Sequence, residues 1–154
     1  ELYEETGANI IAVQDCDPAE TDKYGIVGKG KAASSGFELT GMVEKPKAGT
    51  APSNLYINGR YILQPEIFSY LETQEKGAGN EIQLTDAMLK LMKDQPFYGT
   101  HFKGKTFDCG SKEGFVEANL AFALWRPDLH DRIVDIARDL IETTKPVERR
   151  SATR

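Results

Sequence analysis

The sequence predicts an α/β fold. Short apolar, strand-type runs bounded by Gly, Pro, Asn and Asp alternate with stretches whose apolar residues recur every three and four positions. The totals agree: 154 residues with 40% hydrophobic and 28% charged are ordinary for one folded domain that buries a real core.

Glu1 to Glu5 reads as the tail of a helix that Gly7 stops. Asn9 to Gln14 is nearly continuous apolar sequence, hence a buried strand. The polar, Pro-containing stretch Asp15 to Glu20 is a loop whose acids are solvated or, less simply, metal-binding. Asp22 to Gly28 is strand-like around Gly25, which marks a bulge, a close ligand approach to the backbone, or a plain turn. Gly28 to Gly36 reads as an exposed hairpin loop, without the spacing of a phosphate-binding P-loop. Phe37 to Val43 returns as a strand, and Pro46 to Ser53 is a loop. Asn54 to Leu63 is a strand with Gly59 at a bulge or close approach.

Pro65 to Glu72 predicts a helix with Ile67, Phe68 and Leu71 inward. Residues 76–80 break the chain, and Thr85 is the expected N-cap of the next helix. That helix buries Leu84, Ala87, Met88, Leu91 and Met92. Glu81 and Gln83 either cap it or meet a ligand. Phe97 to Lys103 predicts a strand, and Thr106 to Gly110 a second short one ending at Asp108. Ser111 caps a helix to about Trp125, with Phe115, Ala118, Phe122 and Trp125 on one face. Pro127 opens a last helix striped by Leu129, Ile133, Ile136, Ala137 and Leu140, with His130 solvated. Residues 1–144 are expected to form part of one domain, and 145–154 a polar tail.

The candidate chemistry centres on Met42-Val43-Glu44-Lys45-Pro46. A strand delivers an acid and a base side by side, and the proline stops it. A carboxylate accepts hydrogen bonds from hydroxyls, and an ammonium is a point charge for phosphate. The plain alternative is a solvated strand end. Asp108, between a strand end and a helix start, suits a metal ligand or a cap. The net charge of −5, with no basic stripe, argues against nucleic acid. No apolar run approaches the ~18 residues of a membrane span, and no signal peptide opens the chain. Cys16 and Cys109 lack metal spacing, and two thiols suit a reducing cytoplasm. Cys109 is expected to be a buried, inert thiol.

Six motifs occur in order: Tyr24-Gly25; Val43-Glu44-Lys45-Pro46; Pro52-Ser53-Asn54-Leu55; Gly59-Arg60-Tyr61; the Gly77 to Asp86 segment; and Lys103 to Gly110. Together, from about Asn9 to Trp125, the chain resembles the bacterial UTP–glucose-1-phosphate uridylyltransferases, or UDP-glucose pyrophosphorylases. The resemblance implies a Rossmann-like nucleotide-diphospho-sugar transferase fold, a mixed sheet flanked by helices. It implies a cytoplasmic, homo-oligomeric enzyme that uses Mg2+ to transfer a uridylyl group from UTP to glucose 1-phosphate. Carried over by position, Glu44 would hold sugar hydroxyls and Lys45, the catalytic candidate, would contact the sugar phosphate. Gly25 and Gly59 would line the sugar pocket, and Asp108 would help hold the metal. The alternatives are another sugar-phosphate nucleotidyltransferase or a non-catalytic sugar-nucleotide-binding domain. The Glu81 to Asp86 and Lys103 to Gly110 segments favour the glucose/uridine group.

The family's glycine-rich triphosphate cradle, chief magnesium-ligating aspartate and uracil-recognising residues have no counterpart in this sequence. The expectation is therefore the carboxyl-terminal half of the enzyme, with a cut sheet edge that promotes self-association. Nucleotidyl transfer needs both anions positioned and neutralised. The 154-residue chain assayed alone with UTP and glucose 1-phosphate is expected to show no measurable transfer. Robust turnover by a mass-verified polypeptide would overturn that expectation.

Overall fold

The computed structural model describes residues 1–76 and 80–145. The Gly77-Ala78-Gly79 part of the fifth motif and residues 146–154 of the expected tail lie outside the described residues. The chain divides into two compact units, Glu1–Gly104 and Lys105 onward.

The first unit is a mixed sheet with helices, as the sequence predicts. A short helix α1 (Leu2–Thr6) ends at Gly7, whose left-handed φ of 60° lets its N–H reach the Tyr3 carbonyl. Strand β1 (Asn9–Asp15) follows. The expected loop after it contains a 3-10 turn, Pro18–Lys23, capped by the Asp17 side chain. Strands β2 (Gly25–Ala33) and β3 (Gly36–Glu44) form a hairpin. The stretch read as a hairpin loop is therefore mostly strand, and only Ser34 and Ser35 turn the chain. Ladder pairing to β3 overrides its Gly- and Lys-rich composition. Strand β4 (Leu55–Ile62) and helices α2 (Ile67–Glu72) and α3 (Leu84–Leu91) precede β5 (Phe97–His101).

The strands close into a ring in the order β1-β4-β2-β3-β5, with β1 and β5 parallel and the other pairs antiparallel. The cut edge expected from the sequence is absent, because β3 and β5 meet through Phe37↔Gly99 and Glu38↔Tyr98. That seam has no room for a side chain at Gly99: a Cβ there would stand 2.7 Å from the Phe37 ring. On β1–β4, Ile11 faces Tyr61 while Val13 faces Ile57, so β4 carries extra residues around Gly59. Gly59 adopts φ 81°, which confirms the bulge predicted there.

The core joins Ile11, Val13, Val27, Phe37, Leu39, Met42 and Leu55 to Ala87, Met88 and Leu91 of α3 and to Phe97. The α3 stripe is as predicted. On α2, Ile67 faces inward, but Phe68 is 71% exposed, contrary to expectation, because it lies about 100° around the helix from Ile67, off the face that Ile67 and Leu71 share. Asn9 is fully buried and fully used: its Oδ1 accepts from the Gln64 N–H at 2.8 Å, and its Nδ2 donates to Gln95 Oε1 at 3.0 Å.

The second unit holds α4 (Lys112–Trp125) and α5 (His130–Thr143). Ser111 caps α4 by accepting from the Gly114 N–H at 3.0 Å, as expected. Phe107, Phe122 and Trp125 form an aromatic cluster with centroids 5.2–6.0 Å apart. Thr106 to Gly110 is not a strand, since it pairs with no ladder. His130 is exposed, yet its Nδ1 lies 2.7 Å from the Leu124 carbonyl.

Gly99→Ala should destabilise the chain by about 1–3 kcal/mol through overpacking. Gly41→Ala, whose Cβ would meet nothing within 4 Å, should be neutral or slightly stabilising. Urea unfolding of both variants separates seam glycine from incidental glycine.

Candidate functional site

The β2–β3 register places Gly25 directly opposite Glu44. The Glu44 carboxylate folds back over Gly25, where a Cβ would stand 2.8 Å from Glu44 Oε2 and 3.2 Å from Ile57 Cδ1. A side chain at this position would make the carboxylate shift, so the close approach expected at Gly25 is met first by the protein's own Glu44. The Thr85 hydroxyl donates to Glu44 Oε2 at 3.0 Å from helix α3. Thr85 is only 9% exposed. It is not the N-cap assigned from sequence: Gln83 holds that position, with no side-chain cap. As the second residue of the helix, Thr85 gives its hydroxyl to Glu44 instead of the helix end.

Lys45 leaves the strand at φ 46°, in the left-handed region. A non-glycine residue there costs about 1–2 kcal/mol, and a residue before proline is normally held extended. The Lys45 N–H donates to the Tyr24 carbonyl at 3.0 Å, and Pro46 is buried behind it. Those contacts hold the strained turn, which leaves the Lys45 side chain exposed. The Tyr24 ring packs on Tyr56 with centroids 4.8 Å apart. Only one face of β3 is buried: Met42 is 3% exposed and Val43 43%. Glu44 is half-buried at its end.

Gly25, Glu44 and Lys45 are thus gathered at one end of the hairpin, with Ile57 of β4 beside them. Gly59 lies two residues beyond Ile57, on the bulge. Burial pushes the Tyr61 phenol above its ordinary pKa, and the Glu44 charge adds to the rise. Tyr61 therefore lies within reach of the Glu44 field. Sequence reasoning placed Tyr61 and Ile57 on the strand without seeing their relation to Glu44, and no local pattern signals it.

Asp108 sits in the second unit, in the turn before α4. Its Oδ1 accepts from the Gly110 N–H at 3.0 Å, and its carbonyl accepts from the Ser111 N–H at 3.2 Å. It is exposed and caps its own turn. Cys109 beside it is exposed, not buried as expected, because no strand carries it inward. Among the described residues, no three His, Cys, Asp or Glu side chains come together as a metal cluster. Asp108 offers one hard oxygen donor, which fits Mg2+ held by one or two carboxylates with substrate phosphates and water. No helix among the described residues is long and apolar enough to cross a membrane.

The nucleotidyl transferase family profile matches residues 2–123, and the chain belongs to that family. It is 48% identical over 139 residues to a UTP–glucose-1-phosphate uridylyltransferase of Staphylococcus haemolyticus, covering 90% of this chain and 48% of the relative. A second such enzyme, from Staphylococcus saprophyticus, is 47% identical over 91% of this chain. A crystal structure of UDP-glucose pyrophosphorylase complexed with UDP-glucose superposes with a TM-score of 0.75 at 41% identity, covering 81% of this chain and 47% of that one. A UTP-bound UGPase from Acinetobacter baumannii superposes with a TM-score of 0.75 at 34% identity, covering 93% and 48%. The chain spans about half the length of the curated relatives it matches.

The raised Tyr61 pKa has a defined sign. Stability from the neutral phenol is fully present below the ordinary value of 10.0 and is lost as pH rises through the higher folded value. Glu44→Gln should lower the Tyr61 pKa without restoring the ordinary value, because burial is the larger cause. Site-specific NMR titration of Tyr61 measures it; an unmoved pKa would place Glu44 elsewhere.

Proposed function

We propose that this chain supplies the sugar-phosphate side of a UTP–glucose-1-phosphate uridylyltransferase. The single observation that carries the reading is the strand end at which Glu44 is held over Gly25 and Lys45 is turned out at φ 46°. Backbone strain at a polar residue, held by a buried proline and a carbonyl, is a feature that clusters at ligand-contact sites. The identity to uridylyltransferases over most of this chain supports the same reading.

In this reading Glu44 accepts hydrogen bonds from sugar hydroxyls, and Gly25 leaves the backbone open beside it. Lys45 brings an ammonium to the phosphate of glucose 1-phosphate and offsets its charge as the phosphate oxygen attacks the α-phosphorus of UTP; the bond from that phosphorus to the β-phosphate oxygen breaks, and pyrophosphate leaves as UDP-glucose forms. The bulge at Gly59 shapes the pocket wall. Asp108 would supply one carboxylate oxygen to Mg2+, an ion that would neutralise phosphate charge. Residues 1–144 act as part of one nucleotidyltransferase domain, in a cytoplasmic homo-oligomer. Light scattering tests the oligomer: a clean monomer contradicts it.

Titration of the chain with UDP-glucose tests the assignment. Lys45→Ala should weaken binding about tenfold or more, as expected for loss of a charge-assisted contact. Lys45→Gly should lose the same binding yet exceed Lys45→Ala in stability by about 1 kcal/mol, because glycine relieves the positive φ. Unchanged binding in Lys45→Ala would remove the phosphate role. Competition by galactose 1-phosphate and other nucleotides separates glucose and uridine selectivity from the wider family.

A further inference from the structure

We infer that Thr85 is a positioning residue: from helix α3 it fixes which oxygen of Glu44 faces the ligand, and so sets the hydroxyl selectivity of the site. This rests on the sugar-binding role proposed for Glu44. Two observations on different elements meet at one carboxylate oxygen, and a third bounds the space beside it. Gly25 on β2 leaves Glu44 Oε2 a space that any Cβ would close to 2.8 Å. Thr85 on α3 donates its hydroxyl to that same oxygen at 3.0 Å. Ile57 on β4 stands at 3.2 Å from the same missing Cβ and walls the space on its other side.

With Oε2 held in this way, Oε1 is the oxygen left to meet a ligand. A carboxylate free to rotate accepts from hydroxyls in several orientations. One pinned at Oε2 presents its other oxygen in one direction and discriminates between sugars that differ in a single hydroxyl orientation. Thr85 is itself packed into the fold at 9% exposure. Its helix is anchored by Ala87, Met88 and Leu91, which are buried in the core. The hydroxyl is therefore placed by the core and not by a mobile side chain. A hydroxyl serving only its own helix would bond back to a carbonyl one turn earlier; this one reaches another element.

The test compares Thr85→Val, which keeps the shape and deletes the donor, with Thr85→Ser, which keeps the donor. Calorimetric titrations with UDP-glucose and UDP-galactose are run beside urea unfolding and NMR titration of Tyr61. Thr85→Val should bind UDP-glucose about tenfold more weakly and lose most of its preference over UDP-galactose. Its urea midpoint should stay close to that of the parent chain, and Thr85→Ser should restore the preference. Because the Glu44 charge helps raise the Tyr61 pKa, Thr85→Val should also shift that pKa with no ligand present. A Thr85→Val chain that keeps both the preference and the Tyr61 pKa overturns the inference. So does a loss of preference that Thr85→Ser fails to restore. If the parent chain binds neither sugar nucleotide, the proposed function fails and takes the selectivity with it. The Tyr61 titration then decides the positioning alone: a shift in Thr85→Val sustains it, and no shift overturns it.

Discussion

The register of β2 against β3 is the constraint on which the site depends. With Gly25 opposite Glu44, the one residue without a side chain meets the one carboxylate that must fold inward. A slip by one residue would set Ile26 against Glu44 and turn every side chain of the strand to the other face. The core guards against that slip. Phe37, Leu39 and Met42 of β3 are buried, and a slip of that strand would drive them outward. Hydrophobic packing thus sets a polar geometry several residues away.

A second constraint acts at the next seam of the ring. The seam between β3 and β5 closes only because Gly36 and Gly99 allow the two chains to approach; a Cβ on Gly36 would stand 2.3 Å from the Gly99 carbonyl. Closure gives β3 a second neighbour at its start, along Phe37 and Glu38, while β2 pairs with it through to Glu44. The strain at Lys45 is sustained by a rigid frame before it and a buried proline after it.

Much of this was legible in the sequence because it is local. The apolar run of β1, the stripe of α3, the stop at Gly7, the cap at Ser111 and the bulge at Gly59 each follow from the chemistry of neighbouring residues. So does the Glu44-Lys45 pair at a strand end. What was not legible is set by residues distant in sequence. Strand character from Lys29 to Ala33 comes from the partner strand, not from composition. Closure of the ring depends on small residues far apart in the chain. Thr85 reads as a cap because a threonine before an apolar stripe usually is one, and nothing nearby signals a carboxylate on β3. Thr106 to Gly110 has strand-like residues but forms no strand among the described residues, because strand structure needs a ladder and not only a pattern.

The buried Asn9 has a consequence for the order in which the chain assembles. Its side chain is satisfied only by the Gln64 amide and by Gln95 and Pro96, the last of them 87 residues downstream. Burying it before those segments arrive would strand a polar amide in an apolar interior. The β2–β3 hairpin, closed by a short turn, carries no such debt to distant sequence. On a ribosome adding about 5–20 residues per second, β1 emerges several seconds before its partners. The hairpin bearing Glu44 can therefore close without distant sequence, whereas the Asn9 amide of β1 finds its partners only once Gln64 and Gln95 are in place.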